Sequence, residues 1–175
     1  MIEFVLGGGC FWCTEAVYRR IKGVKSVVSG YSGGTTSDPT YHQVSSGDTG
    51  HAEVIKVTFD EKIIPENVIL DIFFLVHNPT TLNQQGADVG TQYRSIMLYA
   101  DTDQRVLFEQ AAERAEALWE NPIVTSIVPL EVFYKAEDEH QDYFNKNPEA
   151  GYCQVVIEPK LSKARAAYSE WFAED

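Results

Sequence analysis

The sequence predicts an α+β fold in which helices cover one face of a mainly antiparallel sheet. Two observations support this prediction. In the N-terminal half, short apolar segments alternate with segments of helical periodicity, and glycine or proline marks the boundaries between them. The first four strands and two helices then follow the order β-α-β-β-α-β, which is the order of a ferredoxin-like core. Additional helices and coil are expected towards the C-terminus, and 175 residues suit a single domain, 1–175.

The first two elements are predicted from apolar spacing and glycine. The apolar run 2–6 predicts a strand, and three consecutive glycines then permit a tight turn. A helix is predicted over 11–22, because Cys13, Val17 and Ile21 recur on one face and a glycine follows. Burial of that face is expected.

The remaining elements are predicted from the same signals. Alternation of Ile55, Val57 and Phe59 predicts a half-buried strand, and Pro65 is suited to the start of a helix. The further strands are predicted at 24–30, 53–59, 95–100 and 124–134, and the further helices at 65–77, 102–120, 137–147 and 160–172. The segment 151–159 is expected to be partly extended and mobile, and two long polar loops occupy 31–51 and 78–94.

The composition narrows the class of protein. A formal net charge of −12 argues against nucleic acid or an anionic membrane as the partner. The N-terminus lacks the pattern of a signal peptide, and no apolar run is long enough to span a bilayer. Three cysteines are too few for a disulfide framework and suit a reducing compartment. We therefore expect a cytoplasmic, monomeric enzyme with working thiols.

The turn that follows the first strand is the most informative segment. Cys10 is expected at a helix N-terminus, where unpaired N–H groups and the helix dipole favour a thiolate. Phe11 and Trp12 would supply an apolar wall beside it. A structural cysteine and half of a zinc site remain as alternatives, because Cys10 and Cys13 form a C-x-x-C pair. No second such pair occurs, since the remaining thiol is Cys153.

The two polar loops carry the residues that could complete a site around Cys10. Tyr41 and Glu53 belong to the first loop, Asp88 and Tyr93 belong to the second, and each loop ends where a strand begins. A carboxyl group in an apolar pocket retains its proton at neutral pH. Tyrosine hydroxyls can donate to an oxygen that gains negative charge. Taken one at a time, these residues also have structural explanations. Glu53 is then a solvated glutamate, Asp88 forms an Asx turn, and Tyr41 and Tyr93 belong to the core.

Several ordered motifs extend from about residue 4 to residue 160. They are Gly-Cys-Phe-Trp-Cys-Thr-Glu-Ala at 9–16, Ser-Gly-Tyr-Ser-Gly-Gly at 29–34, Pro-Thr-Tyr at 39–41, Ser-Gly-Asp-Thr-Gly-His-Ala-Glu at 46–53, Gly-Thr-Gln-Tyr-Arg-Ser at 90–95, Ala-Glu-Asp at 136–138 with His-Gln at 140–141, and Gly-Tyr-Cys at 151–153. In this order they resemble the A-type peptide methionine sulfoxide reductases. The resemblance is specific because the motifs occur together over nearly the whole chain.

The resemblance implies a peptide-methionine (S)-S-oxide reductase that repairs oxidative damage by reducing methionine sulfoxide, free or in proteins. By matching position, Cys10 is the nucleophile that attacks the sulfoxide sulfur, and Glu53 donates a proton to the sulfoxide oxygen. Tyr41 and Tyr93 hydrogen-bond that oxygen, and Asp88 supports the pocket. A sulfoxide oxygen leaves only after protonation, so an acid beside the thiolate is chemically required.

The same resemblance implies how the substrate is held and the enzyme recycled. Phe11 and Trp12 hold the methyl group. Loss of methionine leaves Cys10 as a sulfenic acid, which condenses with a second thiol. Exchange with thioredoxin, the usual partner of the family, then restores the enzyme without a bound cofactor or metal. Cys153 matches the distal resolving position and is preferred, but Cys13, where many members have glycine, is also a candidate, and a relay through both remains open.

Two other classes of protein stay as alternatives. A thioredoxin-like disulfide oxidoreductase would use the C-x-x-C pair, but the β-α-β-β order does not suit that fold. A metal-binding or interaction domain would use Cys10, Cys13 and Cys153 with a histidine. For His51 and His140 we expect hydrogen-bonded structural roles rather than metal ligation.

Overall fold

The computed structural model describes residues 1–173 and contains a six-stranded sheet with helices packed against it. The strands are β1 (Ile2–Gly7), β2 (Val24–Ser32), β3 (Ala52–Phe59), β4 (Gln84–Gln85), β5 (Asp88–Val89), β6 (Ile96–Tyr99), β7 (Ser126–Pro129) and β8 (Tyr134–Lys135). The α-helices are α1 (Phe11–Tyr18), α2 (Tyr41–Ser45), α3 (Glu66–Val76), α4 (Thr102–Ala115), α5 (Tyr143–Lys146) and α6 (Glu158–Ala167). Short 3-10 turns lie at Thr91–Tyr93, Glu116–Leu118, Asp138–His140 and Ser169–Trp171, and a π-helical turn at Cys153–Ile157.

The strand order in the main sheet is β7-β6-β1-β3-β2-β8, and β4 pairs with β5 as a separate hairpin. All neighbouring pairs from β6 to β8 in this order are antiparallel, whereas β7 is parallel to β6. The predicted α+β class is confirmed. The main sheet has six strands where five were predicted, because two strands, β7 and β8, at opposite edges replace the single strand predicted at 124–134. Between them, Leu130 and Phe133 pack against the second face of the sheet.

Side chains along each strand alternate between the two faces of the sheet, so the protein has an apolar core on each face. Phe4 and Leu6 of β1 face the helices and pack in the larger core with Phe73 of α3 and Phe108 of α4. Val5 faces the other side of the sheet, within a smaller apolar cluster. Each fully buried side chain of this size contributes about 1.5–3 kcal/mol. Apolar side chains therefore pack on both faces of β1. This packing fixes the position of the strand and of the turn that follows it.

Helix α1 is shorter than the prediction of 11–22. It ends at Tyr18, and the following turn is fixed by the C-terminal segment, since the Lys22 N–H donates to the Trp171 carbonyl oxygen and Ile21 pairs with Phe172. The predicted burial of Cys13, Val17 and Ile21 is confirmed. A tertiary contact thus ends a helix that local periodicity would have continued.

The prediction that segment 151–159 is partly extended is wrong, because this segment is helical. Cys153, Ile157 and Leu161 recur at helical spacing and are buried. The π-helical turn ends two residues before Pro159, which has no N–H to donate within a regular helix, so the wider turn accommodates it. The single helix predicted at 137–147 is instead a 3-10 turn followed by the short helix α5.

The long polar loops contain short elements that periodicity did not indicate. Helix α2 begins with a capping box in which Thr40 and Gln43 satisfy each other's backbone N–H groups. The second loop contains the β4–β5 hairpin. Helices α3 and α4 lie within the predicted ranges. Among the described residues, no helix has the length and apolar character needed to cross a membrane.

Candidate active site

The β1–α1 turn places Cys10 at the N-cap of α1, as predicted. Gly9 has φ +91, and a Cβ there would lie 2.7 Å from Gln85 Cγ. A Cβ at Gly8 would lie 2.8 Å from His77 Cγ. The glycines are needed because the backbone turns tightly against these two side chains. Cys10 is 7% exposed, so its sulfur is reached only through the surrounding pocket.

Glu53 lies beside this turn and is 1% exposed. It is the second residue of β3 and lies opposite Tyr31 of β2. Its Oε1 accepts a hydrogen bond from the Phe11 N–H at 3.1 Å, whereas its Oε2 is buried with no hydrogen-bond partner among residues 1–173. Burial raises the pKa of Glu53 to about 8, against the opposing effect of the Phe11 N–H. The carboxyl group is therefore predominantly neutral at pH 7 and can donate a proton.

Cys10 and Cys13 both lie in the first turn of α1, and each affects the ionisation of the other. Burial raises the pKa of Cys10 well above its usual value, and its hydrogen bond to Cys13 and the nearby Glu53 act in the same direction. The hydrogen bond from Cys10 lowers the pKa of Cys13 to about 7, although burial opposes this. The backbone N–H of Trp12 at the helix N-terminus lowers the pKa of Cys10, in the expected direction, but burial outweighs this effect.

Tyr41, Tyr93 and Asp88 surround the same point, as the sequence predicted. Tyr41 begins α2, Tyr93 lies in the 3-10 turn before β6, and Asp88 lies on the β4–β5 hairpin. Burial raises the pKa of both tyrosines, and the charge of Glu53 is the next cause for each. Both phenols therefore stay protonated and can donate hydrogen bonds.

Phe11 and Trp12 form an aromatic wall beside Cys10, but they differ in burial and in the rings that they contact. Phe11 is fully buried and packs against the rings of Tyr31, Tyr41 and His140. The half-buried Trp12 indole stacks on Tyr143 with ring centroids 3.7 Å apart and an interplanar angle of 6°. Its Nε1 donates to Nδ1 of His140 at 3.2 Å. The orientation of Trp12 is thus fixed from two sides.

Cys153 is the third thiol of this region and is fully buried in the π-helical turn. Burial raises its pKa, followed by the charges of Cys13 and Glu158. Tyr152, the residue before it, donates its hydroxyl to Asp88 Oδ2 at 2.8 Å, and its Oη lies 3.5 Å from Cys13 Sγ. All three cysteines are free.

Four residues of the site were not identified from chemistry in the sequence: Glu137, His140, Tyr143 and Tyr152. Glu137 accepts from the Tyr31 hydroxyl and from the Tyr41 N–H, both at 3.0 Å. Motif similarity at 136–141 and 151–153 was the available signal, but nothing in those motifs indicated which partner each side chain contacts.

Within residues 1–173, the carboxylates of Glu137 and Glu139 and the His140 ring have ligand atoms within 4.8 Å of one another, as a metal site requires. Glu137 accepts hydrogen bonds from Tyr31 and Tyr41, and His140 accepts one from Trp12. The cluster therefore orients aromatic side chains beside Cys10. His140 and His51 are both hydrogen-bonded, as expected: His140 accepts from Trp12, and His51 accepts from the Gly34 N–H and contacts the Thr36 carbonyl oxygen.

A cavity of about 500 Å³ lies on the other side of the sheet from these residues. Its lining includes His51, Arg94, Ser126 and Tyr134. It contains no cysteine and no predicted site residue. The chemistry available at Cys10 is different: a thiol beside a neutral acid and two phenols suits attack on an electrophilic atom whose oxygen leaves after protonation.

Comparisons with known proteins agree with this chemistry. The family model described as peptide methionine sulfoxide reductase matches residues 2–171. The peptide methionine sulfoxide reductase MsrA of Paenarthrobacter aurescens is 62% identical over 171 residues, which cover 98% of each chain. The reduced form of Mxr1 from Saccharomyces cerevisiae has a TM-score of 0.80 at 37% identity, covering 87% of this chain and 88% of that one. Mxr1 in complex with Trx2 has a TM-score of 0.56 at 28% identity, covering 81% and 84%.

Proposed function

Because the chain belongs to the peptide methionine sulfoxide reductase family and reduces methionine sulfoxide to methionine, we propose that Cys10 is its nucleophile and Glu53 its proton donor. The observation that carries this proposal is the buried, unpartnered Oε2 of Glu53 beside the Cys10 turn. An unsatisfied polar atom in a buried site costs about 1–3 kcal/mol. A sulfoxide oxygen in the pocket would supply the missing partner.

The reaction transfers the sulfoxide oxygen to Cys10. The Cys10 sulfur attacks the sulfoxide sulfur and forms an S–S bond, while the proton of Glu53 moves to the sulfoxide oxygen and the proton of the Cys10 thiol restores Glu53. The S–S bond then breaks as the hydroxyl group passes to the Cys10 sulfur, and methionine leaves. The net result is that Cys10 S–H and the sulfoxide give Cys10 S–OH and methionine. The substrate sulfur is reduced by two electrons and the Cys10 sulfur is oxidised by two.

The surrounding residues bind the substrate in this proposal. The Tyr41 and Tyr93 hydroxyls donate to the sulfoxide oxygen, whose charge grows during the attack. Phe11 and Trp12 provide the apolar surface for the methyl group, and the S epimer of the sulfoxide is the substrate. Asp88 supports the pocket opposite Glu53. Burial and, after it, the nearby Glu53 raise the pKa of Tyr41 and of Tyr93, so both hydroxyls keep the proton that this assignment requires.

Recycling uses the two remaining thiols in sequence. Cys13, which lies with Cys10 in the first turn of α1, condenses with the sulfenic acid and releases water. The Cys153 thiolate then attacks the Cys13 sulfur, which forms a Cys13–Cys153 disulfide and frees Cys10 as a thiol. A local opening of the π-helical turn is needed for this second step, since Cys153 is fully buried.

Thioredoxin is the external reductant in this proposal, and no prosthetic group takes part. The complex of yeast Mxr1 with Trx2 supports this partner. Three free cysteines support a reducing compartment, and we propose a cytoplasmic monomer.

Turnover of the two epimers of methyl p-tolyl sulfoxide with dithiothreitol tests the proposal. The unaltered enzyme reduces the S epimer, whereas Cys10→Ser shows no reduction even in excess dithiothreitol. Cys153→Ser is the matched control, and it yields one product per enzyme in a single turnover. Substantial turnover by Cys10→Ser would overturn the assignment of the nucleophile.

Peptide mapping of the oxidised enzyme tests the resolving order. After one equivalent of sulfoxide, the expected disulfide contains Cys153, and Cys153→Ser stops at Cys10–Cys13. A sole Cys10–Cys13 disulfide, with thioredoxin recycling intact in Cys153→Ser, would make the distal cysteine a bystander.

A further inference from the structure

The residues on either side of Tyr93 in sequence both bind the first polar loop. Before it, Gln92 Nε2 donates to the Ser45 carbonyl oxygen at 3.3 Å. After it, Arg94 Nη2 donates to the Gly50 carbonyl oxygen at 2.9 Å. The 3-10 turn that carries Tyr93 is therefore attached to the first loop at two points.

Both points of attachment lie close to other residues of the Cys10 pocket. Ser45 is the last residue of α2, and Tyr41 is the first. Gly50 comes three residues before Glu53, and the 3-10 turn packs against β3, which contains Glu53. The two hydrogen bonds therefore connect Tyr93 to the elements that carry Tyr41 and Glu53.

The buried amide of Gln92 is energetically unfavourable for the fold. Gln92 is 5% exposed, and its Oε1 is buried without a hydrogen-bond partner among residues 1–173. A Cβ at Gly90, where φ is +149, would clash with this amide, so the amide is packed directly over the glycine. An unsatisfied buried oxygen destabilises a folded protein. Stability therefore does not explain why an amide and not an apolar side chain lies here.

Arg94 binds one carbonyl oxygen of each polar loop. Besides its bond to Gly50, its Nη1 donates to the Thr91 carbonyl oxygen at 2.8 Å. Arg94 takes part in none of the ion pairs formed within residues 1–173, and burial lowers the pKa of its guanidinium group. It therefore interacts with the protein through directed hydrogen bonds and not through an opposite charge, a use that suits the planar, forked guanidinium.

We propose that Gln92 and Arg94 are positioning residues, which hold the Tyr93 hydroxyl at the sulfoxide oxygen together with the donors of the first loop. Those donors are Tyr41 and Glu53. The assignment rests on the proposed function, in which the two phenols donate to this oxygen and Glu53 protonates it. Neither Gln92 nor Arg94 contacts the substrate.

The need for such attachment follows from how each phenol is supported. The Tyr41 N–H donates to Glu137 Oε2 at 3.0 Å, which holds the start of α2 independently of the second loop. Tyr93 lies on a 3-10 turn of three residues, and so short a turn has little rigidity of its own. Misplacement by about 1 Å of a group that acts in the transition state costs about 100-fold in rate. The attachment to the first loop therefore determines how accurately the Tyr93 hydroxyl is placed.

Gln92→Met tests the first attachment. Methionine retains an apolar side chain of similar length but removes both the donor to Ser45 and the unsatisfied oxygen. The single-turnover rate of methionine formation at saturating sulfoxide should fall about tenfold or more. The sulfoxide concentration that gives half of this rate should change little, because the phenols act mainly in the transition state. The urea midpoint of unfolding should not fall, since Ser45 is exposed and water can replace the lost donor.

Arg94→Lys tests the second attachment and separates geometry from charge. Lysine retains the positive charge but cannot hold two carbonyl oxygens in the forked arrangement. The single-turnover rate should therefore fall about tenfold or more, as in Gln92→Met. A rate retained by Arg94→Lys would overturn the positioning role of Arg94.

Two substitutions of the same kind serve as matched controls. Gln104→Met removes an amide that donates to the Glu3 carbonyl oxygen at 2.9 Å, and Arg114→Lys removes a guanidinium that binds Asp71 Oδ1. Neither connection involves a residue of the two polar loops. Both controls should keep the single-turnover rate.

Combination with Tyr93→Phe separates positioning from a structural role. Without the Tyr93 hydroxyl no donor remains for Gln92 to position, so in a Tyr93→Phe background Gln92→Met should slow the single turnover by less than about twofold. A general structural defect would instead slow both backgrounds by the same factor. Single-turnover measurement also excludes effects on recycling by the other two cysteines.

The proposal would be overturned by an unchanged single-turnover rate in both Gln92→Met and Arg94→Lys, or by an equal loss in Gln92→Met with and without the Tyr93 hydroxyl. Failure of the proposed function gives a different result, because Cys10→Ser would then retain turnover whatever the substitutions at Gln92 and Arg94 do.

Discussion

The two long polar loops and the strand starts that follow them contribute side chains to two polar pockets, one on each side of the sheet. Only the pocket beside Cys10 contains a buried carboxyl oxygen without a hydrogen-bond partner. The first loop contributes Glu53 to the Cys10 pocket and His51 to the 500 Å³ cavity. The second contributes Tyr93 to the former and Arg94 to the latter. In the cavity, both ring nitrogens of His51 have partners, and Arg94 donates to the carbonyl oxygens of Thr91 and Gly50.

The Cys10 pocket differs because a buried oxygen of Glu53 has no partner there. Buried polar groups are normally satisfied, so an unsatisfied one is a reason to expect a ligand. The lining of the 500 Å³ cavity contains no such group. Two other buried oxygens, Ser29 Oγ and Gln92 Oε1, also lack a partner among residues 1–173, but neither belongs to an acid. The chemistry is therefore located by an unmet hydrogen-bonding requirement on an ionisable group beside a thiol, and not by the volume of a cavity.

Among substitutions that leave the Cys10 thiol in place, Glu53→Gln should produce the largest loss of activity. Glutamine preserves the shape of the side chain but cannot donate a proton as an acid does, so the chemical step should slow by about 10²-fold or more. In the unaltered enzyme, the single-turnover rate should also fall as pH rises through about 8, because neutral Glu53 is lost. That decline should be absent in Glu53→Gln, and an unchanged rate would transfer the role of the acid to another group.

The same substitution should increase stability at alkaline pH. The pKa of Glu53 is raised in the folded state from 4.5 to about 8, so its contribution favours folding below pH 4.5 and is lost as pH rises through 8. The stability of Glu53→Gln relative to the unaltered protein should therefore grow between pH 5 and pH 7 by about 2–3 kcal/mol. Urea unfolding at several pH values measures this change, and a difference that stays constant with pH would contradict a neutral, buried Glu53.

Matched tyrosine substitutions compare the two pockets directly. Tyr41→Phe and Tyr93→Phe should each cost about 1–3 kcal/mol of transition-state stabilisation, and the double variant should be non-additive because both donate to one oxygen. Tyr134→Phe, in the other cavity, should leave kcat/KM unchanged. Strictly additive losses from Tyr41 and Tyr93, or an equal loss from Tyr134, would remove the distinction between the pockets.

Much of the Cys10 pocket was predictable from local signals. Three glycines before Cys10 indicated the turn, and the positions of Glu53 and Tyr93 next to strand starts indicated their convergence. Tyr152 was not predictable in this way, because its contacts with Cys13 and Asp88 are 139 and 64 residues distant in sequence. The helical state of Cys153 was missed because the β-branched residues around it favour strands, and burial of one helical face overrode that preference. The unpartnered oxygen of Glu53 is likewise a property of tertiary packing, which no local pattern records.

The central claim is that the oxygen removed from the substrate passes to Cys10. A Cys13→Ser, Cys153→Ser double variant lacks both resolving thiols, so its sulfenic acid can be trapped with dimedone after one equivalent of methionine sulfoxide. We expect one methionine per enzyme and a dimedone adduct on Cys10. Methionine released in that amount from enzyme whose Cys10 remains an unmodified thiol would contradict the claim.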